Sequence, residues 1–152
     1  VMNDQNLIDD ITKPTFRVIV TGSRRFCSYQ DVVRVLDQTL ANKKETHAIA
    51  VVSGECQGPD TLGRAYAIER GYRIELMEYD PSLGRNASTM RHQRMVEAAD
   101  AIVAFWDGKS EGTAKLLKMM HNAGKSIRIV EVDCIYQCVN RFVAYNLEEE
   151  YA

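Results

Sequence analysis

Three segments of this chain set glycines and hydroxyl side chains directly after an apolar run. They are Val18-Ile19-Val20-Thr21-Gly22-Ser23-Arg24-Arg25, Val51-Val52-Ser53-Gly54-Glu55-Cys56-Gln57-Gly58-Pro59-Asp60, and Phe105-Trp106-Asp107-Gly108-Lys109-Ser110-Glu111-Gly112-Thr113. The chemistry of such junctions is anion binding. Where a strand runs into a helix, the first-turn N–H groups have no intrahelical acceptor and the macrodipole adds partial positive charge. Gly112 then lets a phosphate come close to the backbone. Three such strand ends in one chain predict a composite crevice for a phosphate or nucleotide.

The elements that must position these loops follow from hydrophobic period and breakers. Strands are expected at Phe16 to Thr21, Ala48 to Ser53, Tyr72 to Tyr79, Ala101 to Phe105 and Ile127 to Val132. Helices are expected over Tyr29 to Asn42 behind a Ser28 cap, Pro59 to about Arg70 with exit at Gly71, Asn86 or Ser88 to about Ala99, and Gly112 to Ala123. This alternation implies right-handed crossovers and a Rossmann-like α/β three-layer sandwich, a five-stranded parallel sheet in the order 3-2-1-4-5. The first and fourth strands flank its switch point, and ligands of open α/β sheets bind there, beyond the carboxyl ends of the strands. Ile135, Cys138, Val139 and Phe142 have helical spacing and predict a C-terminal helix. Residues 1–14 read as an N-terminal arm or short helix, 15–147 as one domain and 148–152 as an acidic tail.

Composition sets outer limits. With 152 residues, 45% of them hydrophobic, the chain suits one domain with a real core. A net charge of -2 argues against a broad nucleic-acid-binding face. No apolar run approaches the roughly 18 residues of a membrane span, and the start lacks the order of a signal peptide, so the cytoplasm is expected. Cys27, Cys56, Cys134 and Cys138 show no paired metal-ligand spacing. Reduced thiols and neither metal nor cofactor are expected.

Four blocks in fixed order, Val-Thr-Gly-Ser-Arg, Ser-Gly-x-x-x-Gly-x-Asp, Met-Arg-x-x-x-Met and Ala-Phe-Trp-Asp-Gly-x-Ser-x-Gly-Thr, resemble the SLOG superfamily. The resemblance is nearest to its YspA/cpYpsA-related branch and covers about Arg17 to Val132. It implies a Rossmann-like fold that binds or processes nucleotide-derived ligands. It also implies that Gly22, Ser23 and Arg24 form a first phosphate or ribose loop, in which Arg24 offers bidentate bonds. Gly54, Gly58 and Asp60 match the second block, with Pro59 in place of the usual small residue. Asp60 would accept bonds from ribose hydroxyls or simply favour its helix dipole.

Arg91 matches the third block and lies on the same helical stripe as Met95, Ala98 and Ala99, so a charge stands on a core-facing side. Ligand charge is one explanation, and a snorkelling or paired arginine is the other. His92 replaces the family's asparagine. In the fourth block Lys109, Ser110, Gly112 and Thr113 would surround a phosphate, while Trp106 would stack on a base or cover the core's end. Lonely Guy phosphoribohydrolases of the superfamily carry a glutamate three residues after that threonine. Leu116 stands there in this chain, and a leucine supplies no acid or base.

The expected function is therefore binding of a nucleotide or nucleotide derivative, as a sensor or sequestering protein. An N-glycosidase using Asp60, Glu111 or Glu55 on a nucleoside monophosphate is the enzymatic alternative. A scaffold for DNA or a protein partner, as in the superfamily's DprA members, is the third. A homo-oligomer is expected, associating through the helix around Met90 to Ala99 or the C-terminal stripe, with no membrane.

Overall fold

A computed structural model describes residues 4–54 and 59–132 of the chain. The five strands are β1 (Thr15–Gly22), β2 (Ala48–Ser53), β3 (Arg73–Leu76), β4 (Ala101–Trp106) and β5 (Ser126–Glu131), joined by parallel pairings in the order β3-β2-β1-β4-β5. The order expected from the alternation is the one found. Val18 to Gly22 run beside Ala101 to Phe105, so the central strand β1 has β4 as its neighbour across the switch point. Both are apolar on consecutive residues because helices cover both faces of the sheet.

On one face lie α2 (Tyr29–Leu40) and α4 (Pro59–Arg70), whose Val32, Val35, Leu36, Leu40, Tyr66 and Ala67 close over Val18, Val20, Val51 and Val103. On the other lie α5 (Ala87–Ala98) and α6 (Glu111–Asn122), whose Met95, Val96, Leu116, Leu117 and Met120 close over Ile19, Val52, Ile102 and Ala104. Odd and even strand residues thus feed different cores, as the pleat requires. Each fully buried aliphatic side chain contributes about 1.5–3 kcal/mol. Two smaller helices complete the described chain: α1 (Asp4–Thr12) in the N-terminal arm and the single turn α3 (Lys43–Thr46) after α2.

Two local expectations are adjusted. Ser28 does not cap α2 with its side chain; its hydroxyl donates instead to Asp31 Oδ2 at 2.6 Å, a fully buried carboxylate. β3 is four residues, shorter than the Tyr72 to Tyr79 expected, because β2 stops at Ser53 and offers no further ladder partner. The last bond runs from Met77 N–H to Ser53 O at 2.8 Å. Pro81–Asn86 forms a 3-10 helix, and α5 begins directly after it.

The loop after β1 is pinned from below. Phe26 stacks on Phe105 with ring centroids 4.8 Å apart and an interplanar angle of 13°, a contact of about 0.5–1.5 kcal/mol beyond its buried area. At the back of the sheet, Asp37 of α2 accepts from Tyr66 Oη at 2.7 Å and from Arg70 Nε and Nη2 at 3.1 and 2.7 Å. Those bonds fix α4 against α2. Among the described residues no helix is long and apolar enough to cross a membrane. The expected C-terminal helix, the acidic tail, Glu55, Gly58, Cys56, Cys134 and Cys138 lie outside the described residues.

Candidate functional site

A cleft of about 580 Å³ opens at the carboxyl ends of β1, β2 and β4. One wall is the loop Thr21 to Arg25 after β1. The floor is Gly54 with Asp60, the second residue of α4. The far walls are the first turns of α5 and α6, with Ser88, Thr89, Arg91, His92 and Met95 on one and Ser110 to Thr113, Lys115 and Leu116 on the other. The first turn of α5 therefore overhangs the crevice, and Arg91 faces it.

The loops owe their shape to two residues. Gly22 has φ +151°, and a Cβ there would lie 2.0 Å from Phe105 O, so only glycine allows β1 to run this close to β4. Ser23 N–H then donates to Phe105 O at 2.9 Å, and Ser23 Oγ accepts from Asp107 N–H at 2.9 Å. Asp107 organises the next loop by accepting from Lys109 N–H at 2.8 Å, Ser110 N–H at 2.9 Å and Ser110 Oγ at 3.1 Å. Burial works to raise its pKa, but these bonds and the Ser23 hydroxyl outweigh it and hold the carboxyl below the usual range.

That arrangement narrows where an anion fits. The N–H groups of Lys109 and Ser110 are taken by Asp107. The first bond of α6 runs from Ala114 N–H to Ser110 O at 3.1 Å, so Glu111, Gly112 and Thr113 carry N–H groups without an intrahelical acceptor. A Cβ on Gly112 would meet nothing within 4 Å, which leaves the turn open to a ligand.

The floor has a different character. Asp60 is 3% exposed, and desolvation pushes its pKa up to about 6 despite the Thr21 hydroxyl, the charges of Arg91 and Arg64, and the Gly54 N–H. Arg91 is 9% exposed, with its guanidinium 5.6 Å from the centre of the Tyr79 ring. The two groups converge on Gly54, where a Cβ would stand 3.1 Å from Asp60 Oδ2 and 3.7 Å from Arg91 Cζ. Arg64 fixes this corner from behind, donating to Ser53 Oγ and Gly54 O, both at 3.0 Å.

Gly22, Ser23, Arg24, Gly54, Asp60, Arg91, Ser110, Glu111, Gly112 and Thr113 thus come together around one cleft. Lys109 and Trp106 stand outside its lining. Trp106 packs against the core beside α5 and α6, and its Nε1–H donates to Ser110 O at 3.1 Å. Leu116 does face the cleft, as an apolar patch. The sequence reading missed Arg25, Ser88, Thr89 and Lys115, whose only signal was their placement one residue or one helical turn from positions it chose. Arg64 carried no signal, because its role depends on the fold of the loop behind it. Among the described residues no group of His, Cys, Asp and Glu could hold a metal ion.

Residues 16–84 match the family described as YspA, cpYpsA-related SLOG. Comparison with curated proteins found no match. Among solved structures the chain is similar to DNA processing protein A (DprA) from Streptococcus pneumoniae, with a TM-score of 0.58 and 14% identity over 95% of this chain and 59% of that one. It is also similar to TM1055, with a TM-score of 0.52 and 22% identity over 76% of this chain and 72% of the other. At these identities the likeness is one of fold, and the chain spans less than two thirds of DprA.

Proposed function

We propose that the chain, whose residues 16–84 match the YspA, cpYpsA-related SLOG family, binds a nucleotide or nucleotide-derived anion in the cleft at the carboxyl edge of the sheet. The observation that carries this reading is the cleft's division into two chemistries. The open first turn of α6 stands with Arg24, Arg25 and Lys115 around the same space, which suits phosphate. The floor pairs an acceptor, Asp60, with a donor, Arg91, which suits the hydroxyls of a sugar or the edge of a base.

Calorimetry on nucleoside 5′-monophosphates and the matching nucleosides tests the reading. The phosphorylated member of a pair should bind at least tenfold more tightly, the worth of about one charge-assisted contact. Equal affinity for both, or binding of neither across all bases, would sink it. Arg91→Ala sorts the floor: loss of nucleoside and nucleotide affinity together assigns Arg91 to the sugar or base, whereas loss confined to the nucleotide assigns it to phosphate.

One observation favours hydrolysis as a second reading. A buried carboxyl with its pKa raised to about 6 is poised to exchange a proton near neutrality, as an acid aiding departure of a base must. In this reading Asp60 takes over the task for which Leu116 is unfit. Chromatography for free base after incubation with nucleoside monophosphates decides it; activity that persists in Asp60→Asn would exclude Asp60 from the role.

A further inference from the structure

His92 and Lys115 enter the cleft from opposite helices, and neither belongs to a glycine loop. Lys115 lies one helical turn beyond Glu111 on α6, so it projects over the same turn whose N–H groups of Glu111, Gly112 and Thr113 are open. His92 follows Arg91 on α5 and is half-buried, not solvated at the rim. Two basic side chains thus share the space above one helix start, with Arg24 and Arg25 closing the third side. Resting on the reading of the cleft as a nucleotide site, we infer that His92 and Lys115 form a bridge between α5 and α6 that seats the ligand's terminal phosphate.

The charges support this division of labour. Burial lowers the pKa of His92, and the positive charges of Arg91 and Lys115 lower it further, which favours the neutral imidazole. The charged groups that share its cleft are Arg24 and Arg25 from the β1 loop, Asp60 from α4, Arg91 from α5, and Glu111 and Lys115 from α6; Asp107 is engaged by its own loop. Asp60 sits at the floor against Arg91, leaving Glu111 as the acid nearest Lys115 along the helix. A phosphate seated on α6 would meet the Lys115 ammonium and bring negative charge to His92. The imidazole would then take up a proton and donate to the phosphate.

The test is an NMR titration of the histidine ring resonances with inorganic phosphate, adenosine 5′-monophosphate and adenosine, with His47 and His121 as controls remote from the cleft lining. Phosphate and the monophosphate should raise the titration midpoint of His92 by roughly one pH unit, adenosine should not, and Lys115→Ala should weaken phosphate binding about tenfold. Lys115 is exposed, so the variant should fold, and Lys115→Arg should restore most of the affinity. If phosphate shifts the amides of Glu111 to Thr113 while His92 and the Lys115→Ala affinity stay unchanged, the bridge is wrong and the nucleotide reading stands. If no cleft resonance answers to phosphate or monophosphate, both fall.

Discussion

Asp60 is a carboxyl group with less water around it than any charge tolerates without compensation, and this gives it a measurable signature in stability. Its folded pKa of about 6 lies above the unfolded value of about 4. Between those values the folded protein keeps a proton that the unfolded chain has released, so its contribution is full below about pH 4 and is lost as pH rises through 6. Relative to Asp60→Asn, the native protein should therefore lose about 1–3 kcal/mol between pH 4 and 7. Urea unfolding of both proteins across that range checks it, and parallel curves would show that Asp60 is ionised throughout. At this scale the sequence was legible where a residue type was out of place. Arg91 stood out as a charge on an apolar stripe and does face the cleft. Lys115 and Arg25 did not stand out, since exposed basic residues are common on any helix or loop. Trp106 read as base-stacking or core-covering, and the structure puts its ring against the core and its indole N–H on Ser110 O.

Elements set how closely the cleft's walls can approach one another. Gly63 lets α4 lie directly on β1, because a Cβ there would stand 2.7 Å from Val20 Cβ and 3.0 Å from its Cγ1. Gly63→Ala should cost about 1–3 kcal/mol in chemical denaturation through overpacking, although alanine is the better helix former by about 1 kcal/mol. A variant more stable than the native protein would show that the helix can shift freely. Gly112 makes the opposite case. Its surroundings are open, so Gly112→Val should leave the melting temperature within a few degrees of native while removing nucleotide binding, because a branched side chain then covers the open N–H groups of α6. A folded variant with unchanged affinity would take the phosphate away from that turn. Element order and most boundaries were readable from apolar period and breakers. The length of β3 was not, since it depends on where its neighbour β2 ends, a fact absent from the local sequence.

For the whole molecule, the apolar surface that the fold leaves uncovered is uneven. Leu7, Ile8 and Ile11 of α1 are exposed together, and Leu76, Tyr79, Leu83 and Met90 are exposed along the stretch from β3 into α5. Surface of this kind predicts self-association, and light scattering at micromolar and higher concentrations should give a mass above that of one chain. A strict monomer would refute it, and Met90→Asp should lower the mass if α5 carries the contact. The sheet's topology has another consequence, one of time. Ser23 meets Asp107 and Ser110 across 84 and 87 residues of chain, and β1 cannot join β4 until the chain beyond residue 100 is available. Contacts so far apart in sequence form slowly and against a large loop-closure entropy. The span 16–84 supplies β1, α4 and Asp60 of the floor but not Arg91, β4 or α6. A growing or refolding chain should therefore acquire its core on the α2–α4 side first and its ligand site afterwards, so that the ligand selects molecules that have finished folding.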